Sequence, residues 1–270
     1  MIIVQISDLH LRADGRKLKK TFDSKKALAA AVDHLKKFEP APDLVLATGD
    51  LVHKGTRENY HALRRRLDKL KLPVYVIPGN HDDRELLRDT FADWGYLPKD
   101  GEFLHYTVED YPLRLIGLDT VNPGSDGGLM CTKRLQWLDA RLAESPDRPS
   151  VIFMHHPPFK TGIGFMDRPA FMDAAATEAV VRRHPQVERV ICGHVHRPID
   201  LGWGGTVATV APSTAFQMTL ALAPDAPSGF VAEPPALPVF LWRPDTGVIG
   251  HMSVIGNFPA AISAFPRRSP

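Results

Sequence analysis

The chain has 270 residues, room for one large domain or for one domain with a small appendage. Its 33 lysines and arginines against 31 acidic residues leave a net charge of +2, which argues against a protein held to nucleic acid or to a membrane surface by bulk charge. Only 2 cysteines argue against a disulfide framework and a cysteine-based zinc site, whereas 12 histidines make metal ligation and proton transfer the first questions to ask.

The opening run Met1 to Ile6 is apolar, β-branched and followed closely by Asp8. That pattern predicts a first buried strand and no signal peptide. No apolar run approaches the roughly 18–20 residues that a spanning helix needs, so a cytoplasmic protein without a membrane partner is expected. Ala27, Ala31, Leu35 and Phe38 recur at helical spacing. Leu44 to Thr48 reads as a strand ending in Gly49-Asp50. Tyr60, Leu63, Leu67 and Leu70 predict the next helix, and Val74 to Ile77 a strand ending in Pro78-Gly79-Asn80-His81-Asp82. Leu113 to Leu118 ends in Asp119, and Leu135, Leu138 and Leu142 form another helical stripe. Val151 to Met154 runs into His155-His156-Pro157, Ala175, Ala179 and Val180 suggest a helix, and Val190 to Cys192 runs into Gly193-His194-Val195-His196.

Strand then helix, repeated, predicts an α/β fold with a parallel or mixed sheet covered on both faces. In such folds ligands gather at the carboxyl ends of the strands, where all the chemically loaded residues fall. From Pro212 the texture changes. Phe216 to Leu222 reads as one more strand, and the stretch from Pro224 to Pro238 is too rich in proline for a helix or a central strand. Val239 to Trp242 and Val248 to Val254 are predicted to pair around the turn Pro244 to Gly247. Residues 1–215 are therefore expected to form the catalytic domain, with 216–270 completing it as strands plus a cap or oligomer contact.

Singly, Asp8-x-His10, Gly49-Asp50 and Gly193-His194-x-His196 are weak motifs. Together, each at a strand end, they suggest a two-metal site. Oxygen and nitrogen donors without thiolate suit Mn, Fe, Co or Zn. Residues i and i+2 of an extended segment point the same way, so Asp8 and His10 could share one ion, as could His194 and His196. Two ions about 3.5 Å apart need a bridging ligand, which Asp50 can supply, and Asn80 adds a neutral oxygen. Such a centre, with two divalent ions against two carboxylates and a hydroxide, would attract a phosphodiester anion without a basic protein surface.

In this order the motifs resemble the calcineurin-like metallophosphoesterase superfamily over roughly residues 1 to 215. The doubled His155-His156-Pro-Pro, the closing Gly-His-x-His and Pro212-Ser213-Thr214 look closest to bacterial class III cyclic nucleotide phosphodiesterases and glycerophosphodiesterases. The resemblance implies a sandwich of two mixed sheets flanked by helices, with a small C-terminal cap or oligomerisation segment. It implies two divalent ions: Asp8, His10 and His196 on the first, Asn80, His155 and His194 on the second, and Asp50 bridging. It places His81 against the phosphate as an aid to the leaving group, with Asp82, His156 and His53 behind the ligands. His53 stands where purple acid phosphatases carry a tyrosine ligand. Ala215-Phe216-Gln217 stands where glycerophosphodiesterase relatives can place a histidine.

The expected activity is metal-dependent hydrolysis of 3′,5′-cyclic nucleotides or other small phosphodiesters. Broad phosphomonoester or nuclease activity, and a non-catalytic binding scaffold, are the rivals; no stable nucleic-acid binding is expected, since no basic stripe is present. A homo-oligomer through the C-terminal segment is the expected assembly. His34, His61 and His184 lie among Lys and Arg in helical segments and read as solvated, while His105 and His251 lack ligand neighbours.

Overall fold

A computed structural model describes residues 1–223 and 225–258; Pro224 and 259–270, part of the predicted cap or oligomer segment, lie outside the described residues. The first part of the chain runs β1 (Ile2–Ile6), α1 (Ser24–Leu35), β2 (Leu44–Thr48), α2 (Arg57–Leu67), β3 (Val74–Ile77) and α3 (Arg84–Phe91). The second runs β4 (Tyr106–Val108), β5 (Arg114–Leu118), α4 (Thr132–Ala143), β6 (Ser150–Met154), α5 (Ala174–Arg182), β7 (Val187–Cys192), β8 (Ile199–Trp203) and β9 (Thr206–Val210). The short β10 (Gln217–Met218) and β11 (Phe230–Val231) then precede β12 (Ala236–Arg243) and β13 (Gly247–Val254).

The strands form two mixed sheets and a small ribbon. The first sheet has the order β13-β12-β1-β2-β3, the second β4-β5-β6-β7-β9-β8, and β10 pairs with β11 alone. Each sheet contains a parallel run, β1-β2-β3 in one and β5-β6-β7-β9 in the other. Such strands are buried on both faces, and every residue of Leu44–Thr48 and of Ser150–Met154 is buried accordingly. One core runs continuously from Leu28 and Leu63 of the helices through Val45 of the first sheet to Phe153 of the second. A second core packs Leu138, Leu142 and Val181 of α4 and α5 under Ile152 and Val190. Each fully buried side chain of this size contributes about 1.5–3 kcal/mol by its removal from water.

The sheets are also joined by a buried polar bridge. Gln5 Nε2 donates to Thr48 Oγ1 at 2.7 Å and to the Cys192 carbonyl at 2.8 Å, holding the ends of β1, β2 and β7 together. The carboxyl ends of the parallel strands of both sheets consequently open onto one rim.

Three departures from the sequence reading have local causes. The helix α3 carries its apolar side chains Leu87 and Phe91 only one turn apart; its start is fixed by Asp83, whose side chain accepts from Leu86 N at 2.9 Å. The predicted strand from Phe216 to Leu222 contracts to Gln217–Met218, because no layer covers the residues beyond Met218, and Leu220 and Leu222 stand 60% exposed. Pro238 lies inside β12 after all: the β1 ladder ends at Val4–Val239, so the missing N–H falls past it. The hairpin β12–β13 forms around the predicted turn and joins the first sheet beside β1.

Candidate metal centre and active site

The loops leaving β1 and β2 run side by side. Asp8 N donates to the Gly49 carbonyl at 3.1 Å and His10 N to the Asp50 carbonyl at 2.8 Å, with Leu9 fully buried between them. The backbone is left-handed at Asp8, His10, Asp50, His194 and His196, with φ between 41° and 72°. Conformations of this kind cost of order 1 kcal/mol or more each and concentrate at functional sites. They overturn the reading of Asp8 to His10 and His194 to His196 as extended segments. His194 and His196 turn into different groups of side chains rather than toward one point.

The glycines of the motifs allow the loops to touch. A Cβ on Gly79 would lie 2.3 Å from both Asp50 N and Asp50 Oδ1, and one on Gly193 would lie 2.1 Å from Ser7 Oγ. Only a bare Cα permits that approach.

Two groups of donors result. In the first, His196 Nε2 stands 3.2 Å from His10 Nε2 and 3.3 Å from Asp8 Oδ1, with Asp50 Oδ2 3.5 Å from His10 Nε2. In the second, His155 Nε2 stands 3.2 Å from Asn80 Oδ1 and 3.4 Å from Asp50 Oδ1, and the His194 ring lies 5.2 Å from that of His155. Asp50 thus turns one carboxylate oxygen to each group.

The donor set fits a pair of divalent cations. His155 Nδ1–H donates to the Thr48 carbonyl at 2.8 Å and His196 Nδ1–H to the Phe216 carbonyl at 2.9 Å, which leaves both Nε2 lone pairs for a ligand role. Burial pulls His10 and His194 down to about 3, so both are neutral, the form that ligates. Burial opposes charge on His155 as well, but Asp50 and Asp8 outweigh it and raise the ring to about 9. The carboxylates that favour a proton on His155 Nε2 favour a cation there too, and the two compete.

The remaining predicted residues surround this centre. His81 N donates to Asp50 Oδ1 at 2.9 Å, its Nδ1–H donates to the His53 carbonyl at 3.0 Å, and its ring packs 4.7 Å from that of His10. The His53 ring stacks on His81 at 5.3 Å. Asp82 accepts from Gly79 N, Leu51 N, Val52 N and the Tyr60 hydroxyl, at 2.9 to 3.3 Å, and so ties the loop after β2 to the loop after β3. Desolvation, with Asp50 second, pushes its carboxyl up to about 6. His156 does not face away from His155 as an extended chain would have it. The strand ends at Met154, the chain bends, and the His156 ring lies 4.7 Å from His155 and 4.8 Å from His194 with Nδ1 on Thr120 Oγ1.

Sequence reasoning missed two supports. Tyr60, seen there only as part of a helical stripe, also accepts from Asp83 N at 2.8 Å. Ser213 Oγ donates to the Asp8 carbonyl at 2.7 Å, a role for which the Pro-Ser-Thr segment was the available signal. Asp119, loaded and at a strand end, belongs to no donor group and instead takes Arg84 through both oxygens. Above the donors opens a cavity of about 440 Å³ whose floor includes His10, Asp50, Asn80, His81, His194 and His196.

A family model described as calcineurin-like phosphoesterase matches residues 1–198, the stretch that holds both donor groups. The chain belongs to this family. A probable glycerophosphodiester phosphodiesterase of Arcobacter nitrofigilis is 37% identical over 96% of this phosphoesterase and 94% of its own length. The 3′,5′-cyclic adenosine monophosphate phosphodiesterase of Escherichia coli is 28% identical over 80% of this chain and 76% of its own. Among solved structures, a dimetal phosphatase of Danio rerio superposes with a TM-score of 0.61 at 16% identity, covering 95% of this chain and 99% of that one; it shares the calcineurin-like fold.

Proposed function

We propose that this phosphoesterase is a metal-dependent phosphodiesterase acting on small diesters, 3′,5′-cyclic nucleotides and glycerophosphodiesters being the classes that its relatives' names suggest. The observation that carries the reading is Asp50, fully inside the protein with Oδ2 toward His10 and Oδ1 toward His155. Asp8, His10 and His196 would hold one divalent cation, Asn80, His155 and His194 the other, and Asp50 both. When bound, such ions supply Lewis acidity toward the phosphoryl oxygens and make a water nucleophilic near neutral pH.

The chain's own residues do the rest. His81 commits Nδ1–H to the His53 carbonyl, so Nε2 is the nitrogen left for the cavity that it lines. A proton held there would be delivered to the departing alkoxide. Asp82 and Tyr60 fix the loop that carries Asn80 and His81. His196 is oriented by a carbonyl of the segment that also presents the Phe216 ring, 5.5 Å from that of His10.

No helix among the described residues is long and apolar enough to cross a membrane, and cytoplasmic residence belongs to the proposed reading. So does a division in which 1–215 carry the centre and 216–270 complete the domain. A homo-oligomer formed through that last segment is proposed as well; light scattering on the full-length protein should then give a mass of at least twice the 29.9 kDa of one chain.

The decisive experiment is a diester and monoester panel run on metal-stripped protein reconstituted with Mn, Fe, Co or Zn. Hydrolysis of bis(p-nitrophenyl) phosphate well above p-nitrophenyl phosphate, restored only with metal, is expected. Equal rates on the two esters point to a phosphomonoesterase, and turnover without metal overturns the centre. His81→Ala should slow esters with alkoxide leaving groups far more than nitrophenyl esters. Equal losses on both would remove its general-acid role.

A further inference from the structure

The cavity above the donors is polar on its floor and apolar on its walls. Phe216 and Met218 are buried in the wall, whereas Phe230 and Phe165 line the same cavity with 40% and 42% of their surface exposed. Phe230 packs T-shaped against Phe216 with 5.1 Å between centroids, and the rest of its ring remains open to the cavity it lines. Gln217 and Met218 pair with Val231 and Phe230, which anchors this wall to the segment whose Phe216 carbonyl orients His196. The wall is therefore tied to the floor at a definite height.

The charges at the mouth are equally specific. Arg12 is neutralised by a two-pronged bond to Asp14 at 2.6 and 3.0 Å. Lys19 lies over the Phe230 ring, 4.9 Å from its centroid, and neither Lys19 nor Arg168 has an acidic partner among the described residues. Among the described residues, Asp126 is the acidic group of the mouth not engaged in this way. A cationic ester arm such as choline would meet two uncompensated cations, one of which, Lys19, already lies against the Phe230 ring. A long alkyl arm would be forced past Lys19, Arg168 and Asp126 at the rim. A flat, uncharged arm with a polar edge satisfies both demands: its face stacks on exposed aromatic rings and its edge meets charged donors and an acceptor.

We propose that Phe230, backed by Phe216 and flanked by Lys19, seats the base of a nucleoside phosphodiester while the phosphate lies on the floor of the cavity. The assignment rests on the phosphodiesterase reading above. It makes Phe230 and Lys19 the residues that set the preference between ester arms.

Three esters with one leaving group test it: the p-nitrophenyl esters of thymidine 5′-monophosphate, of methyl phosphate and of phosphorylcholine. Metal-loaded wild-type protein should hydrolyse the thymidine ester with kcat/KM at least tenfold above the methyl ester, and the choline ester below both. Phe230→Ala should reduce the thymidine-to-methyl ratio about tenfold, chiefly through KM, by the loss of one base-stacking contact. Phe230→Tyr keeps the ring and should keep the ratio. Lys19→Glu should raise the choline ester severalfold relative to the methyl ester. Equal kcat/KM on all three esters in the wild type overturns the seat and leaves the hydrolase reading standing. So does a Phe230→Ala variant that slows thymidine and methyl esters alike. Absence of nitrophenolate from every ester overturns the hydrolase reading, and the seat with it.

Discussion

On the floor of the cavity His10, Asp50, His194 and His196 have less than a tenth of their surface exposed, take left-handed backbone, and are held by neighbouring loops through main-chain bonds such as His10 N to the Asp50 carbonyl. On its wall Phe230 sits in a two-residue strand, and Leu220 and Leu222, just past the strand it pairs with, are mostly exposed. The floor is thus positioned by backbone that several loops over-determine, and each loop can approach the next only because a glycine omits its Cβ. The wall is positioned by side-chain packing on a ribbon of two bonded pairs. Chemistry that needs donors fixed to a few tenths of an ångström is built the first way, whereas selection among ester arms tolerates the second. One scaffold can then keep its centre while its substrate preference drifts.

The comparison breaks most directly at Asp50. Asp50→Ala removes the one side chain shared by both donor groups, and turnover of any diester should fall on the order of a thousandfold or more. Metal content measured on the purified variant should fall with it; full activity would show that the floor is not the site. Gly79→Ala comes next. Its Cβ would meet main-chain nitrogen and carboxylate of Asp50, neither of which can swing away, so a loss of several degrees in melting temperature and of most activity is expected.

Much of the floor was legible because its motifs are punctuated: each donor follows a buried apolar strand, and the ends of β2, β3, β6 and β7, though not of β1, carry a glycine or a proline. The strands β1, β2, β3, β5, β6 and β7 were found for the same reason, since parallel strands buried on both faces leave unbroken apolar runs. Local geometry was not legible. Periodicity assigns an extended backbone to Asp8–His10 and His194–His196, and nothing in a sequence window reports the loop-to-loop bonds that hold φ positive instead. Tyr60 shows the other limit. Its ring belongs to the apolar stripe of α2, so its hydroxyl bonds to Asp82 and Asp83, residues more than twenty positions away, leave no trace in the spacing. The wall escaped for a third reason, because exposed ribbon residues such as Phe230 obey no buried period at all.

Asp82 and Tyr60 sharpen the comparison without touching a donor. Asp82→Asn turns an amide NH₂ toward main-chain N–H groups that require an acceptor, and the loop carrying Asn80 should loosen. Metal affinity, titrated by calorimetry, should fall about 10- to 100-fold, the usual range for a group that orients a ligand. Tyr60→Phe leaves Asp83 N without its acceptor and removes one of the bonds to Asp82. A loss of about 1–2 kcal/mol in denaturant unfolding is expected, with a smaller effect on metal affinity than Asp82→Asn has. Were Tyr60→Phe to weaken the metal as much as Asp82→Asn, the hydroxyl rather than the carboxylate would be the principal tie.

Gly229→Ala, on the wall, should have the smallest effect of the set. Its Cβ would approach Thr219 Cγ2 at 3.2 Å, a contact with the end of an exposed-side strand pair that can yield by a few tenths of an ångström. Gly229 donates no side chain to the floor, and its carbonyl bond from Thr219 N survives the substitution. Stability should change by no more than about 0.5 kcal/mol. The same chemical change, one methyl group on a glycine, is thereby asked at Gly79 and at Gly229 of one protein. A large loss at Gly229 would show that the ribbon is held as tightly as the floor. In that case the positions of Phe216 and His196, which the ribbon's first strand connects, could not vary independently of the centre.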